Sequence, residues 1–401
     1  MPLFYVFYHY FNLPFRAWEQ RKLRDIANYR NGKAHEQVED EDGKYTIINS
    51  KFISTNGKVQ RYTNEQVEPI FDGEIAMVLS DLPNGKALAK LFLVKEDGKY
   101  TLNQRIAGIT PNENIDPIFL NFRMNRNNYF LKFDSGVTQT NLSKSQVENF
   151  IALYPTFDEQ YKIGLFFTQL DDAIALHQRK LDALKLMKKG LLQQMFPNNE
   201  EKVPRLRFAD FNEKWERCKI SSFARNTYGG GTPKTNVPEY WQGRIPWIQS
   251  GDLLIDSLFN IIPKKHVTGS AVKSSATKCI PANSIAIVTR VGVGKLAFIP
   301  FEYTTSQDFL SLSNLRVDSN FGTYSIYIML QRELNNIQGS TIKGITKSDL
   351  LEKNIDKPLN RIEQERIGVS LKLLDNIITL HQSKLEKLSS LKKVYLQRMF
   401  I

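Results

Sequence analysis

The chain has 401 residues, of which 41% are hydrophobic, and it carries a formal net charge of +12 with a pI of about 9.4. This length predicts two or more domains, and the basic balance is typical of proteins that bind a polyanion or an acidic partner. The two cysteines, Cys218 and Cys279, lie outside any Cys-x-x-Cys or Cys/His cluster, which excludes a disulfide scaffold or a zinc ribbon and favours reduced thiols.

The chain begins with an apolar, aromatic stretch, MPLFYVFYHYFNLPF. It has no basic n-region and no small-residue cleavage site, and it is too short to span a bilayer. No other stretch reaches ~18 consecutive apolar residues, so we expect a cytoplasmic protein that does not enter a membrane. Residues 1–14 fit either a buried strand or extra residues from an upstream start codon, and the sequence leaves both open.

Two globular domains are predicted, each followed by a helix. Both contain short alternating stretches such as Ser284–Thr289 (SIAIVT), separated by Gly, Pro and Asn. Such alternation bounded by turn residues is typical of short strands, so we predict a mixed α+β fold for each domain. The predicted boundaries are 1–142 and 215–345 for the globular domains, 143–197 and 346–401 for the regions with the helices, and 198–214 for a linker.

The two predicted helices have nearly the same sequence. Residues 159–196 align with residues 363–400 without a gap, and half of the aligned positions are identical, which indicates one unit used twice. Seam residues recur in alternating steps of four and three, which predicts a coiled coil between helices of ~40 residues and ~60 Å. The predicted seam includes Ile163, Leu170, Ile174, His177 and Leu181 in the first copy, and Ile367, Leu374, Ile378, His381 and Leu385 in the second.

The helix starts are also marked in the sequence. Thr156 with Glu159, and Asn360 with Glu363, have the spacing of a capping box. Pro197 predicts the end of the first helix.

Each seam also carries a histidine and a lysine, namely His177 and Lys188 in the first helix and His381 and Lys392 in the second. These residues could form a proton or metal site, or they could be structural, either as a polar pair that sets the register or as the result of a seam that drifts off the helix axis. No carboxylate or cysteine is spaced to complete a metal site, so the sequence favours the second interpretation and predicts no metal.

Similarity between the two halves extends into the globular domains, although these have diverged freely between short anchors. Two similar helices, which together would form a rod, and two divergent globular domains, which we call heads, suit a protein that binds two targets. The rod would fix the distance between the targets, and each head would select its own target. The anchors pair Trp18-Glu19 with Trp215-Glu216, Ile48–Ser50 with Ile248–Ser250, Ile75–Val78 with Ile285–Val288, Asn103-Gln104 with Ser306-Gln307, and residues 136–145 (GVTQTNLSKS) with residues 339–348 (GSTIKGITKS).

The second half carries the most specific motifs: Gly230–Lys234 (GGTPK), Glu239–Ile248 (EYWQGRIPWI) and Ser250–Asp252 (SGD). With the repeated EQ…IG…LD…I…LHQ…KL helix, they make the chain resemble the specificity subunit of type I restriction–modification enzymes over nearly its whole length. The first half has neither the GGTP nor the YWxGxIPW motif.

The resemblance implies that each head is a target recognition domain that reads one half of a split sequence in double-stranded DNA. It implies that the two helices pair as an antiparallel coiled coil, place the heads at opposite ends, set the spacer and dock the modification subunits, of which we expect two. Those subunits carry the methyltransferase chemistry, and restriction subunits join them in the full complex. A ~60 Å rod compared with ~34 Å per turn of B-DNA allows half-sites ~1–2 turns apart.

The chain is expected to be non-catalytic alone and to bind no cofactor. Gly292–Lys295 lacks the spacing of a phosphate-binding loop, and Asn12–Phe15 (NLPF) lacks the first proline of the Asn-Pro-Pro-Phe motif of amino-methyltransferases. A fused single-chain methyltransferase or nuclease is therefore disfavoured. A coiled-coil adaptor that does not read DNA sequence stays open as the alternative.

Side chains that could contact DNA occur in polar loops of both heads. Arg and Lys can bind guanine or phosphate, Asn and Gln can pair with adenine, and Ser or Thr can reach either. We expect Trp241 and Trp247 to pack within the domain rather than to stack on bases. The predicted contacts are Lys33, Asn49, Lys51, Arg61, Lys86, Gln104, Arg105 and Gln139 in the first head, and Thr232, Lys234, Gln249, Arg290, Lys295, Ser306, Gln307, Thr341 and Lys343 in the second.

Overall fold

The chain divides into two compact units. The computed structural model describes residues 17–35, 39–83, 85–198, 201–336 and 344–400. The aromatic start with its NLPF stretch, and the predicted contacts Thr341 and Lys343, lie outside these ranges. The units are Met1–His177 with Lys384–Ile401, and Gln178–Ser383, so each combines one head with parts of both long helices.

The head of the first unit is built from short strands and short helices. Its strands are β1 (Glu19–Lys22), β2 (Ala27–Asn31), β3 (Tyr45–Ile48), β4 (Tyr62–Thr63), β5 (Pro69–Ile70), β6 (Ile75–Val78), β7 (Ser80–Asp81), β8 (Leu91–Leu93), β9 (Tyr100–Leu102), β10 (Ile106–Pro111), β11 (Thr140–Asn141) and β12 (Ile151–Tyr154), and its helices are α1 (Leu23–Ile26), α2 (Ser50–Ser54), α3 (Pro117–Met124), α4 (Asn128–Leu131) and α5 (Lys144–Glu148). An antiparallel sheet has the order β2-β10-β6-β8, and a mixed sheet has the order β4-β3-β9-β5.

The head of the second unit repeats this plan. Its strands are β13 (Glu216–Lys219), β14 (Ala224–Gly229), β15 (Ile245–Ile248), β16 (Lys265–Val267), β17 (Ser284–Val288), β18 (Leu296–Ile299), β19 (Thr304–Thr305), β20 (Phe309–Leu315) and β21 (Asn354–Lys357), and its helices are α7 (Gly269–Lys273), α8 (Ser319–Asn336) and α9 (Lys347–Glu352). The antiparallel sheet β14-β20-β17-β18 matches β2-β10-β6-β8, and the mixed sheet β16-β15-β19 matches β4-β3-β9. The predicted α+β class is therefore confirmed for both heads.

The antiparallel sheet of each head is buried on both faces. In β6, Ile75 and Met77 belong to one apolar core, while Ala76 and Val78 belong to another. In β17 the alternate residues are divided between two cores in the same way. This explains why both strands are continuously apolar in sequence, since a strand covered on one face only would alternate with polar residues.

The two long helices are α6 (Phe157–Gln194) and α10 (Arg361–Met399). Within the first unit, Lys392 of α10 forms an ion pair with Asp171 of α6 at 2.5 Å (Nζ to Oδ1). One turn further along α10, Tyr395 packs edge-on against Phe166, which precedes Asp171. Residue numbers rise along one helix as they fall along the other, so these parts of the helices run antiparallel.

The second unit contains the equivalent contacts. Lys188 of α6 forms an ion pair with Asp375 of α10 at 2.5 Å (Nζ to Oδ1). Met195, further along α6, shares a core with Ile367 and Leu371 of α10, which precede Asp375. The two helices thus pair antiparallel in both units, as expected for the predicted coiled coil, and each seam lysine forms an ion pair with an aspartate of the opposite helix.

The predicted seam faces away from solvent along both helices. Leu165, Leu176, Val369 and Leu380 lie off the seam and are exposed. The seam residues Ile163, Leu170, Leu181, Ile367 and Leu374 are buried, and Ile174, His177, Ile378, His381 and Leu385 are half-buried.

The first residues of α6 hold the head of the first unit. Glu159 accepts a hydrogen bond from the indole nitrogen of Trp18 at 3.1 Å. The Oε1 atom of Gln160 accepts from the Asp116 amide at 3.1 Å, and its Nε2 donates to the Pro155 carbonyl at 2.9 Å. These bonds tie the helix to the start of α3, to the first strand region and to its own entry segment.

The first residues of α10 make the same bonds in the second unit. Glu363 accepts from Trp215 at 3.2 Å and from Arg207 at 2.7 Å. Gln364 accepts from the Asp318 amide at 2.9 Å and, like Gln160, donates to a proline carbonyl. The repeated Glu-Gln pair is therefore an anchor between helix and head.

The prediction of two capping boxes is wrong, because neither glutamate bonds back to the start of its own helix. Asn360 does cap α10, because its side chain accepts from the Ile362 amide at 2.9 Å. Glu159 and Glu363, however, are turned to the tryptophans. An indole N–H that is removed from water needs an acceptor, and the carboxylate supplies it.

The Met-Phe sequence that ends each repeat docks into the head of the unit that it reaches. In the second unit, Phe196 stacks on Phe321 with ring centroids 5.7 Å apart and an interplanar angle of 18°. In the first unit, Phe400 packs against the equivalent Phe119 at 5.5 Å, and its carbonyl accepts from Arg123. The end of each repeat is therefore fixed by packing as well as by the seam.

Candidate nucleic-acid interface

In each head, two parallel strands end side by side. These are β3 and β9 in the first head and β15 and β19 in the second. The Asn103 amide donates to the Ile48 carbonyl at 3.1 Å, and the Ser306 amide donates to the Ile248 carbonyl at the same distance. Because parallel strands run in one direction, the residues that follow them meet at one border of the sheet. We call this border the polar edge, comprising residues 49–51 and 103–105 in the first head and residues 249–250 and 306–308 in the second.

Five of the predicted contacts of the first head belong to or adjoin its polar edge. Asn49 caps α2 by accepting from the Phe52 amide at 2.8 Å, and Lys51 follows in that helix. Gln104 and Arg105 follow β9 and have exposed side chains. Lys33 is bridged to Asn103 through the backbone, and its Nζ lies 3.1 Å from Glu68.

The other three predicted contacts of the first head are placed differently. Arg61 precedes β4 and pairs with Glu39 at 3.0 Å. Lys86 lies in the loop after β7, and Gln139 donates to the hydroxyl of Ser80 in β7 at 2.7 Å. All three side chains are exposed, and Ser80 follows Leu79, whose amide donates to the Arg105 carbonyl at 3.0 Å.

The polar edge of the second head brings together side chains that are far apart in sequence. The Thr232 hydroxyl donates to Oε1 of Gln307 at 2.6 Å. Gln249 follows β15 directly, beside the Ser306 amide, and Lys295 donates to the Ser250 carbonyl at 3.2 Å. Hydroxyl, amide and ammonium groups therefore lie along one edge, which is the set that DNA bases and phosphates bind.

The GGTP motif shapes this edge. A Cβ atom added to Gly230 would lie 2.1 Å from the Ser306 carbonyl oxygen, and one added to Gly231 would lie 2.6 Å from the Ala276 carbonyl carbon. The Gly231 carbonyl accepts from the Trp247 indole at 3.1 Å and from the Thr277 hydroxyl at 2.7 Å. The glycines thus allow the loop that carries Thr232 to lie directly on β19.

The YWxGxIPW motif has a packing role. Trp247 is 4% exposed and meets Trp241 edge-on with ring centroids 4.9 Å apart. Lys265 lies over both rings, and Trp241 donates to the carbonyl of Lys234, whose own side chain is exposed. The expectation that the two tryptophans pack within the domain is confirmed.

The glycines before Lys295 form a tight turn rather than a phosphate-binding loop. Gly292 and Gly294 have φ values of 91° and 95°, a region that favours glycine. The turn leads from β17 into β18 and brings Lys295 back to Ser250.

One cation at this site was missed in the sequence. Lys347 is the first residue of α9 and is half-buried. Burial lowers its pKa, and repulsion from Arg290 and Lys278 lowers it further, while Asp308 has the opposite effect. The signal was the repeated Ser/Thr-Lys-Ser sequence, which places Lys144 in the first head where Lys347 lies in the second.

The two polar edges differ in charge at one equivalent position. The Arg105 carbonyl accepts from the Leu79 amide at 3.0 Å, and the Asp308 carbonyl accepts from the Thr289 amide at 2.7 Å. The backbone geometry is therefore shared, while one head presents a cation and the other an anion.

Within the parts of the chain that the structure describes, no group of three or more His, Cys, Asp and Glu residues could hold a metal ion. No helix among the same residues is both long and apolar enough to cross a membrane. Cys218 and Cys279 are both free, and burial raises the pKa of each thiol.

Comparison with known proteins gives a consistent result. A family model described as the type I restriction modification DNA specificity domain matches the chain twice, at residues 16–186 and 212–390. The chain is 21% identical over 401 residues to the type I restriction enzyme MjaVIII specificity subunit of Methanocaldococcus jannaschii, covering 94% of this chain and 90% of that protein. It is 35% identical over 175 residues to the EcoR124I/EcoR124II specificity subunit of Escherichia coli, covering 40% of each chain.

A solved structure shares the fold. The S subunit of the type I restriction-modification system from M. genitalium superposes with a TM-score of 0.64 and 13% identity, covering 97% of this chain and 98% of that chain.

Proposed function

This chain belongs to the type I restriction–modification DNA specificity family, and from that premise we propose that each of its heads reads one half of a bipartite, asymmetric DNA target through its polar edge. The observation that carries the proposal is the shared backbone of the two edges with different side chains upon it. Arg105 and Asp308 occupy equivalent positions, and Arg favours guanine whereas Asp accepts from cytosine. Two polar edges with the same backbone geometry and a different charged side chain suit two different half-sites.

The paired helices set the spacer between the half-sites and dock the modification subunits. Support comes from exposed apolar side chains at equivalent positions of the repeat. In the first unit these are Leu165 and Leu176, which are 41% and 44% exposed, and in the second unit Val369 and Leu380, which are 50% and 53% exposed. Two copies of one patch fit two modification subunits. Methyl transfer then resides in those subunits, restriction subunits complete the nuclease, and this chain alone is not catalytic.

Methylation mapping tests the proposal. Long-read sequencing would compare cells that carry this chain and its cognate modification subunit with cells that lack the chain. We expect a split motif that is methylated on both strands and disappears with the chain. Arg105→Ala should relax base preference in one half of that motif and Gln307→Ala in the other, each by about 1–3 kcal/mol of discrimination.

The matched control is Lys95→Ala. Lys95 is exposed and follows β8, at the end of the sheet opposite to Arg105, because Leu93 pairs with Ile75 whereas Ile106 pairs with Val78. It should leave the motif unchanged. If the assembled complex binds DNA without preference and no motif depends on the chain, the adaptor alternative is correct instead.

A further inference from the structure

The second head contains three cations close together beside its polar edge. Arg290 follows β17 directly after Thr289, whose carbonyl accepts from the Ile345 amide at 2.8 Å. This bond brings the segment that enters α9, and hence Lys347, alongside Arg290. Lys278 completes the group, and both it and Arg290 are near enough to lower the pKa of Lys347 by repulsion.

A glycine makes room for the Lys347 ammonium. A Cβ atom added to Gly229, at the end of β14, would lie 2.6 Å from Nζ of Lys347. The ammonium therefore occupies the space that a side chain at position 229 would fill. Because this leaves the group half-buried, its charge is less well solvated than that of a surface lysine.

The local charge is not balanced. Among the described residues, Lys347, Arg290 and Lys278 form no salt bridge within 4.0 Å. Asp308 is the carboxylate near enough to favour the charged form of Lys347, and its Oδ2 also accepts from the Ser306 hydroxyl at 3.2 Å. Three cations around one carboxylate are stabilised by a further anion.

The equivalent place in the first head is closed. Lys144 corresponds to Lys347, but it pairs with Glu148 at 3.6 Å and lies 5.7 Å from the ring centroid of Tyr29. Strand pairing aligns Asn31 with Gly229, and the Asn31 side chain accepts from the Tyr29 hydroxyl at 2.6 Å. The ammonium is neutralised and the space beside the strand is filled, so the first head has no such opening.

We propose that Lys347, supported by Arg290 and Lys278, binds a backbone phosphate of the DNA at the second head and positions that head without reading a base, and that the first head has no counterpart. The inference rests on the proposed DNA-reading function. It assigns a phosphate contact to the second head and none to the first. A phosphate oxygen between these side chains would neutralise the excess positive charge. It would also accept a hydrogen bond from the partly solvated Lys347 ammonium.

The salt dependence of binding measures this contact. The purified complex with its modification subunits would bind a fluorescent duplex carrying the mapped motif, and a scrambled duplex, over a series of NaCl concentrations. We expect Lys347→Gln to weaken binding to both duplexes by the same factor and to make the slope of log K against log [NaCl] shallower by about 0.9, the share of one phosphate. Gly229→Asn should do the same, because it displaces the ammonium while Lys347 remains.

Lys144→Gln is the matched control and should leave affinity and slope unchanged, while Lys347→Arg should retain the wild-type slope. An unchanged slope in Lys347→Gln, or an altered base preference in the second half-site, would overturn the phosphate contact. Failure of the wild-type complex to prefer the mapped duplex would instead count against the proposed function, and the slopes on either duplex would still report on Lys347.

Discussion

At the residue scale, the identities retained between the two repeats mark places where helix and head are in direct contact. A Cβ atom added to Gly368 would lie 2.6 Å from the Phe321 amide nitrogen, and one added to Gly164 would lie 2.9 Å from Oδ1 of Asp116. Each glycine lies one turn after the Glu-Gln pair that binds the head. The sequence revealed the repeated glycine, but its reason is a close approach between segments that only the fold brings together.

Replacing Gly368 with alanine should lower the free energy of unfolding of the second unit by about 1–3 kcal/mol, because the new methyl group meets backbone that cannot rotate away. Gly190→Ala is the matched control in the same unit, since nothing lies within 4 Å of its added Cβ, and it should stabilise by up to ~1 kcal/mol through helix propensity. Thermal unfolding of the purified chain measures both. Equal stability of Gly368→Ala and wild type would disprove the close-packing argument.

At the element scale, the heptad pattern predicted both long helices and their seam, because periodicity is a local property of the sequence. The partners of the two seam lysines could be identified only from the tertiary structure. Lys188 binds Asp375, and Asp375 also accepts from the Tyr324 hydroxyl at 2.6 Å, so the carboxylate is held between helix and head. In the first unit, the corresponding Lys392 pairs with Asp171 and lies over the ring of Phe122.

The two ion pairs should differ in strength because they differ in exposure. Asp375 is 17% exposed and Asp171 is 40% exposed. Lys188→Met leaves a half-buried carboxylate without its cation and should cost about 2–3 kcal/mol, whereas Lys392→Met should cost about 1 kcal/mol or less. Urea unfolding at neutral pH compares them, and a larger loss for Lys392→Met would refute the burial argument.

At the scale of the whole molecule, two heads of one topology carry different surface chemistry on repeated helices. The core strands β6 and β17 are equally apolar, and the Glu-Gln anchors are identical, while Arg105 and Asp308 differ in charge. Similarity is thus kept where helix and head must fit, and the polar edges, which share Gln104 and Gln307, differ in charge at Arg105 and Asp308. This distribution suits a reader with a constant spacer and two independent half-sites.

Inserting one heptad into both helices, after Arg179 and after its equivalent Ser383, should lengthen the spacer and leave both half-site sequences unchanged. A heptad adds ~10.5 Å of helix, which corresponds to about 3 base pairs of B-DNA. Methylation mapping reads the result directly. An insertion into α6 alone is the control and should impair assembly, because the seams no longer match in length. A changed half-site with an unchanged spacer would rule out a measuring role for the helices.

The sequence by itself determined the two-fold repeat, the α+β class, the long helices and their seam, because each is written in local periodicity or in similarity between the halves. It also identified the residues that follow the parallel strands as candidates. Only the tertiary structure decided which of them meet, since Thr232 reaches Gln307, and Gly229 admits Lys347, across strand pairings between distant segments. Such proximity depends on strand order and on the direction of the strands, and neither is encoded in any single stretch of the chain.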